Sequence, residues 1–297
     1  MRFQAGAILL IAGALAGLAT PRPLEGRRAP RHNRIIDLLS QNKVLLGWFA
    51  PARTAEAAKK AAADAEMDFI FFNMEQVQSY NPAELKSFML ALQGGAPKNP
   101  NSHPLMARLP VFHDDPATAR QRTGEILNLG AHAIVFPGME SREEAEQAIA
   151  AMRFAPSGTR PDDAGGAPAY WGMTAQEYKK KADVYPLNPD GELASFFIIE
   201  SEKGIANSRE ITRVRPTIAT PGPGTLRRVY QGDMEKVENA IQMQLSSCKE
   251  FSVPCGITAN AKDIEKRLRE GFRVIIIYDR DYPETIKVGR QAAGRTS

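Results

Sequence analysis

The sequence predicts an α/β fold of the (β/α)8 TIM-barrel class, and three observations carry that expectation. Short apolar runs recur along the chain without polar alternation, as strands do when both faces of a parallel sheet are covered. Each run is followed by a stretch with helical spacing, giving the order strand, helix, strand, helix. Eight such units occupy residues 41–290, close to the ~250 residues of a typical barrel. A doubly wound open sheet is the alternative, but the Gly-rich turn that usually follows its first strand is absent.

The elements follow in order. Val44–Phe49 reads as the first strand and Thr54–Ala65, rich in Ala, as the first helix. Residues 68–75, DFIFFNME, form the second strand, and Pro82–Leu92 a helix. Leu105–Leu109 is the third strand, with Pro116 near the start of a helix through Leu129. Ala133–Pro137 is the fourth strand. Ser141 with Glu144 three residues on has the capping-box pattern that opens a helix through Met152. A Gly/Pro-rich loop, 156–172, leads to a helix from Thr174. Ser195–Glu200 is the fifth strand and Thr217–Thr220 the sixth; Met234–Phe251 is a long amphipathic helix. Cys255–Thr258 is the seventh strand, Ala261–Arg269 a helix, and Arg273–Tyr278 the eighth strand.

The composition agrees with one soluble globular domain. Of 297 residues 43% are hydrophobic and 24% charged, which excludes a disordered or collagen-like chain. The front end is read separately. Residues 1–19 begin with Arg2, continue as an uncharged apolar run and close on small residues, which is the pattern of a cleaved secretory signal. The run is shorter than the roughly 20 apolar residues a membrane span needs. No stable membrane insertion is expected after cleavage, and the protein is expected to be exported, to a periplasm or beyond. Residues 20–40 read as a basic linker, with Arg22, Arg27, Arg28, Arg31 and Arg34. These side chains and Arg2 exceed the whole formal excess of +4, so the remainder, 41–297, is close to neutral. A nucleic-acid partner is not expected. Cys248 and Cys255 match no zinc spacing, and two buried thiols are favoured over a disulfide.

In a barrel, chemistry sits where strands end. The polar residues there are Asn73, Glu75 and Gln76, then Arg108, then Glu200 and Glu202, then Gly222, Pro223, Gly224 and Thr225, and finally Asp279. Carboxylates converging with one Arg suggest a divalent-cation site that orients an anionic substrate. Of the four His, His103 and His132 precede strands and His32 lies in the linker. Only His113 follows a strand, so it is the candidate base, with a solvated loop residue as its simpler reading.

Several stretches together carry a resemblance. They are AAADAEMDFIFFNME at 61–75; Arg108-Leu109-Pro110 with Asp115-Pro116; Val135-Phe136-Pro137-Gly138-Met139; and Glu143-Glu144-Ala145 with RFAPSGTR at 153–160. Glu200-Ser201 with Asn207, Gly222-Pro223, and Pro254-Cys255-Gly256-Ile257 complete the set. The chain thereby resembles the aldolase/citrate lyase superfamily, and more narrowly the class II aldolases of the hydroxy-heptenedioate type, which cleave 4-hydroxy-2-oxo acids to pyruvate and an aldehyde.

The resemblance implies a carbon–carbon lyase acting on a small carboxylate, in a homo-oligomer. It implies that Arg108 polarises the 2-oxo group and that Glu75 and the Gly222–Thr225 turn meet the substrate. It also implies that Glu200 and an Asp in that turn hold Mg²⁺, Mn²⁺ or Co²⁺. Three positions depart from the pattern. The family's acid/base His is Gln76, its orienting Asp falls on Asn128, and its metal Asp is Thr225. An amide exchanges no proton near neutral pH. Glu202 can compensate for the missing Asp only if the chain is still extended there. Three functions are therefore open: a divergent metal-dependent lyase, a changed reaction in the same pocket, and a non-catalytic barrel that binds an anion or a protein partner.

Overall fold

The computed structural model describes residues 31–95 and 103–295. The expected signal segment, 1–19, and the linker up to residue 30 lie outside the described residues. In chain order the elements are α1 (Arg34–Ser40), β1 (Leu45–Phe49), α2 (Ala55–Ala63), β2 (Phe69–Asn73), α3 (Pro82–Gly95), β3 (Leu105–Arg108), α4 (Pro116–Leu129) and β4 (Ala133–Phe136). Then come α5 (Arg142–Met152), α6 (Ala167–Trp171), α7 (Ala175–Lys181), β5 (Val184–Tyr185), β6 (Leu193–Ile199), α8 (Glu202–Ala206), α9 (Ser208–Arg213) and β7 (Ile218–Pro221). The chain continues with α10 (Pro223–Val229), α11 (Met234–Glu250), β8 (Gly256–Thr258), α12 (Ile264–Glu270), β9 (Val274–Tyr278) and α13 (Tyr282–Ala292).

Every ladder is parallel. One continuous path runs β5-β6-β4-β3-β2-β1-β9-β8, and β7 pairs with β6 off that path. Between β7 and β8 there is no ladder, only an isolated bridge at Ala219 and Cys255, with the Ala219 N–H donating to the Pro254 carbonyl at 3.2 Å. The closed (β/α)8 TIM barrel expected from the sequence is therefore corrected: the strands form a curled, all-parallel half-barrel, open as a ladder at the β7–β8 seam. The reason is visible in the chain. β8 is three residues long, and Pro216, Pro221 and Pro254 flank or end the two strands, each without an N–H to donate. A ninth strand, the two-residue β5, was also unexpected.

Strand side chains alternate between two cores. Leu46, Trp48, Ile70 and Phe72 point outward into the layer shared with the helices. Leu45, Phe69, Phe71, Met106, Val135, Phe196, Ile198 and Ile276 point inward and fill the curl. Gly47 also faces inward, and a Cβ there would strike the Phe69 ring at 2.1 Å, so only glycine admits that ring. Residues 34–40, placed in the linker by the sequence, form α1. Its Ile35 and Leu38 join the inner core at the N-terminal end of the strands. Asn33 caps that helix and donates to the carbonyls of His132 and Glu192. The expected cap at Ser141 is present, its Oγ accepting from the Glu144 N–H.

Candidate active site

The inward-facing register that fills the curl continues past the apolar layer to the C-terminal ends of the strands. There it presents Phe49, Asn73, Arg108, Glu200, Thr220, Thr258 and Tyr278 around a cavity of about 270 Å³. A larger hollow, about 980 Å³, opens beside Arg34 and Arg295 at the other end of the strands. Those two guanidinium groups are already engaged with the buried Asp68. The smaller cavity is the one that joins unsaturated charged groups to the positions where parallel sheets carry chemistry.

Arg108 organises it. Its Nη2 donates to Glu75 Oε1 at 2.5 Å and to Glu200 Oε1 at 2.9 Å, so one cation holds two carboxylates together. Its Nε is buried without a hydrogen-bond partner, so the protein does not saturate the guanidinium. Glu200 is 8% exposed. Burial raises the Glu75 carboxyl from its ordinary value; Arg108 opposes that shift, and the nearby charge of Glu200 adds to it. Asn73 fixes the turn that carries Glu75, its Oδ1 accepting from the Glu75 N–H at 3.2 Å. Arg53 ties the same turn down, donating to the Asn73 and Ser79 carbonyls and to Glu84.

The structure brings together Glu75, Arg108, Glu200, Gly222, Pro223, Gly224 and Thr225, all lining the cavity. Other expected site residues fall elsewhere. Gln76 is exposed, starts a short 3-10 turn and accepts from Gln78. Asn128, its expected partner, sits at the far end of α4 bonded to Arg160 and Asp163. His113 is 41% exposed; its Nδ1 pairs with Glu144 Oε1 at 3.0 Å, and the residue does not line the cavity. Glu202 is exposed and helical, because Ser201 already caps α8 by accepting from the Gly204 N–H. The extended chain that would aim Glu202 beside Glu200 ends one residue too soon.

Several lining residues were not singled out, Thr220 and Thr258 at strand ends among them. Arg228, on α10, faces the cavity and donates to Thr225 Oγ1 at 3.1 Å. Phe49 and Tyr278 end β1 and β9 as register partners. The sequence signal for them was their place at strand ends, but aromatic rings there read as core and so were not singled out.

A hard cation fits part of this donor set. Glu200 Oε2 lies against the Gly222 turn, where a Cβ would come within 2.3 Å of it. Thr225 supplies a neutral oxygen on the same turn. One or two protein oxygens suit Mg²⁺-type binding when substrate and water complete the shell. Among the described residues no cluster of three or more His, Cys, Asp or Glu has metal-binding geometry.

The fold and site define a class: an α/β protein with a guanidinium–dicarboxylate centre at the C-terminal mouth of a parallel sheet. The family follows from comparison. Residues 45–221 match the HpcH/HpaI aldolase/citrate lyase family, and the chain belongs to it. It is 26% identical over 163 residues to the hydroxypyruvate/pyruvate aldolase of Delftia acidovorans, a match covering 52% of this chain and 56% of that protein. It is 25% identical to the 2-dehydro-3,6-dideoxy-6-sulfogluconate aldolase of Pseudomonas putida, covering 79% and 86%. Among solved structures, an HpcH/HpaI aldolase/citrate lyase family protein from Burkholderia cenocepacia superposes with a TM-score of 0.68 at 21% identity, covering 85% and 94%. Family membership and the aldolase names of the relatives support carbon–carbon lyase activity.

Proposed function

We propose that this chain makes and breaks the bond between C3 of a pyruvate-type 2-oxo acid and the carbonyl carbon of an aldehyde, outside the cytoplasm. The observation that carries this reading is the Arg108 guanidinium, shared by Glu75 and Glu200 at the wall of a cavity. Arg108 meets the 2-oxo oxygen and receives the negative charge that grows there as the enolate forms. Glu75 moves the C3 proton: it lines the cavity, and its raised affinity for protons suits general acid/base work. Glu200 aligns Arg108. Glu200 and Thr225 would hold a divalent cation, Mg²⁺, Mn²⁺ or Co²⁺, which when bound supplies Lewis-acid stabilisation of the same oxygen. The Gly222–Thr225 turn gives the substrate carboxylate room to approach backbone.

Export rests on the signal-like segment 1–19. No helix among the described residues is long and apolar enough to cross a membrane. A homo-oligomer is part of the same reading, supported by the exposed Met234 and Met243 along α11. The second reading, a non-catalytic barrel-like protein that binds a small anion, is favoured by one observation: Gln76 faces solvent and no His lines the cavity.

The test is deuterium exchange into the pyruvate methyl group, followed by proton NMR with Mn²⁺ or Mg²⁺ present. Exchange above the buffer rate, lost in Arg108→Leu, is expected. Wild-type protein that exchanges no faster than buffer overturns the catalytic reading and leaves the anion-binding one.

A further inference from the structure

The cavity has two unlike sides. Glu75, Arg108 and Glu200 stand at or just past the ends of β2, β3 and β6, and Arg228 adds a fourth charge from α10, whereas β1 and β9 contribute rings. Phe71 stacks on Phe49 with centroids 5.1 Å apart and planes 19° from parallel, and Phe49 meets Tyr278 at 5.1 Å and 44°. Phe71 is held from behind by an edge-on contact with Phe196 at 6.1 Å. The row is therefore anchored in the inner core and runs outward to Tyr278, which is 39% exposed at the mouth. Ile198 and Ile276 extend the same apolar surface. Hydroxyls on this side are few: Thr258, Thr220 and the Tyr278 phenol.

We propose that this row of rings is the subsite for the aldehyde, and that it selects an aromatic aldehyde over a short polyhydroxylated one. The inference rests on the enolate reading above and adds the class of the second substrate. A sugar-like chain would leave its hydroxyls against carbon faces, with the desolvation cost that unpaired polar groups carry. A flat ring instead covers Phe49 and Tyr278 and gains offset or tilted stacking. At about 270 Å³ the cavity is smaller than the ~300–1,000 Å³ typical of drug-sized ligands, which suits a three-carbon acid plus one ring. The chemistry balances without a redox partner. The enolate C3 attacks the aldehyde carbon and a C–C bond forms. The carbonyl π pair moves to oxygen, and that oxygen takes a proton. Cleavage is the reverse.

The experiment measures kcat/KM in the aldol direction with pyruvate and either benzaldehyde or glyceraldehyde. A preference for benzaldehyde of about tenfold or more is expected, since stacking of ~1.4 kcal/mol gives that ratio. Phe49→Ser and Tyr278→Ser should each lower the benzaldehyde preference several-fold, whereas Phe49→Tyr and Tyr278→Phe should keep it. Equal or reversed preference in the wild-type protein, with pyruvate exchange intact, overturns this inference alone. Absence of pyruvate exchange overturns the enolate reading first. A preference that survives both serine substitutions also overturns the assignment of these rings.

Discussion

Glu200 and Gly222 meet between β6 and β7 so closely that a Cβ on Gly222 would fall 2.3 Å from Glu200 Oε2. The glycine cannot back away, because its N–H donates to the Ile199 carbonyl at 3.2 Å. Any side chain at 222 must therefore move the carboxylate that aligns Arg108. Gly222→Ala is expected to lower the pyruvate exchange rate by about 10²-fold, the usual cost of misplacing a reacting constellation by an ångström. Thermal melting should shift by only a few degrees, since the glycine borders a cavity. Wild-type exchange in this variant would show that the Glu200 position is not critical.

Glu75→Gln separates charge pairing from proton transfer. The amide is nearly isosteric and Arg108 keeps its bond to Glu200, so the fold should persist. An amide cannot carry the proton, and exchange should fall by roughly 10²–10⁴, the range of general acid/base contributions. Glu75→Asp should retain part of the rate. Unchanged exchange in Glu75→Gln would place the base elsewhere.

Thr225→Asp tests the cation site directly. A second carboxylate on the Gly222 turn raises the ligand charge beside Glu200, and charge count is what tunes affinity at hard-cation sites. Mn²⁺ binding in the presence of oxalate, read by calorimetry, should tighten by about tenfold or more. No change would mean that this turn does not reach the cation. The Arg228 guanidinium, held by Thr225 in the native chain, will pair with the new acid, so the double variant with Arg228→Ala should show the larger effect.

How much of this was legible in the sequence depends on how local the cause was. Strands such as Phe69–Asn73 and Val274–Tyr278 announce themselves by continuous apolar runs, and their inward register carries Arg108 and Glu200 to one mouth. The seam was not legible as a seam. Pro216, Pro221 and Pro254 are visible, but their effect depends on which strands end up side by side. Helix α1 was hidden by Arg31 and Arg34, which looked like linker charge; each meets an acid supplied by a distant segment, Glu192 and Asp68. Glu202 failed for a local reason that was readable, the Ser201 cap, and the strand period was carried one residue too far. Phe49 and Tyr278 were passed over because rings at strand ends look like core.

The opposite end of the sheet makes a pH prediction. His32, His132 and Trp171 form one cluster of rings, with His32 and His132 centroids 4.4 and 5.3 Å from the Trp171 ring and 5.8 Å from each other. Burial, and then the charge of Lys181, pushes His32 down to about 4. Burial, and then His32, holds His132 well below its ordinary value. An unfolded His titrates near ~6.5. Between that value and about 4 the unfolded chain therefore binds protons that the folded chain refuses, so stability is full above ~6.5 and falls as pH drops through this window. The slope approaches at most about 1.4 kcal/mol per pH unit for each His. Carboxylates depressed by ion pairs, such as Glu238, held at about 2 by Arg267, lose their contribution only lower, below about 4.5. Urea midpoints measured at pH 7.5 and 5.5 thus report on the buried histidines, His103 included, which burial also holds below its ordinary value, and the variant singles out the stack. The wild-type midpoint should drop clearly between the two, and His32→Gln should drop less. A midpoint that stays flat in the wild type, or falls equally in the variant, would show that the stack does not exclude the proton.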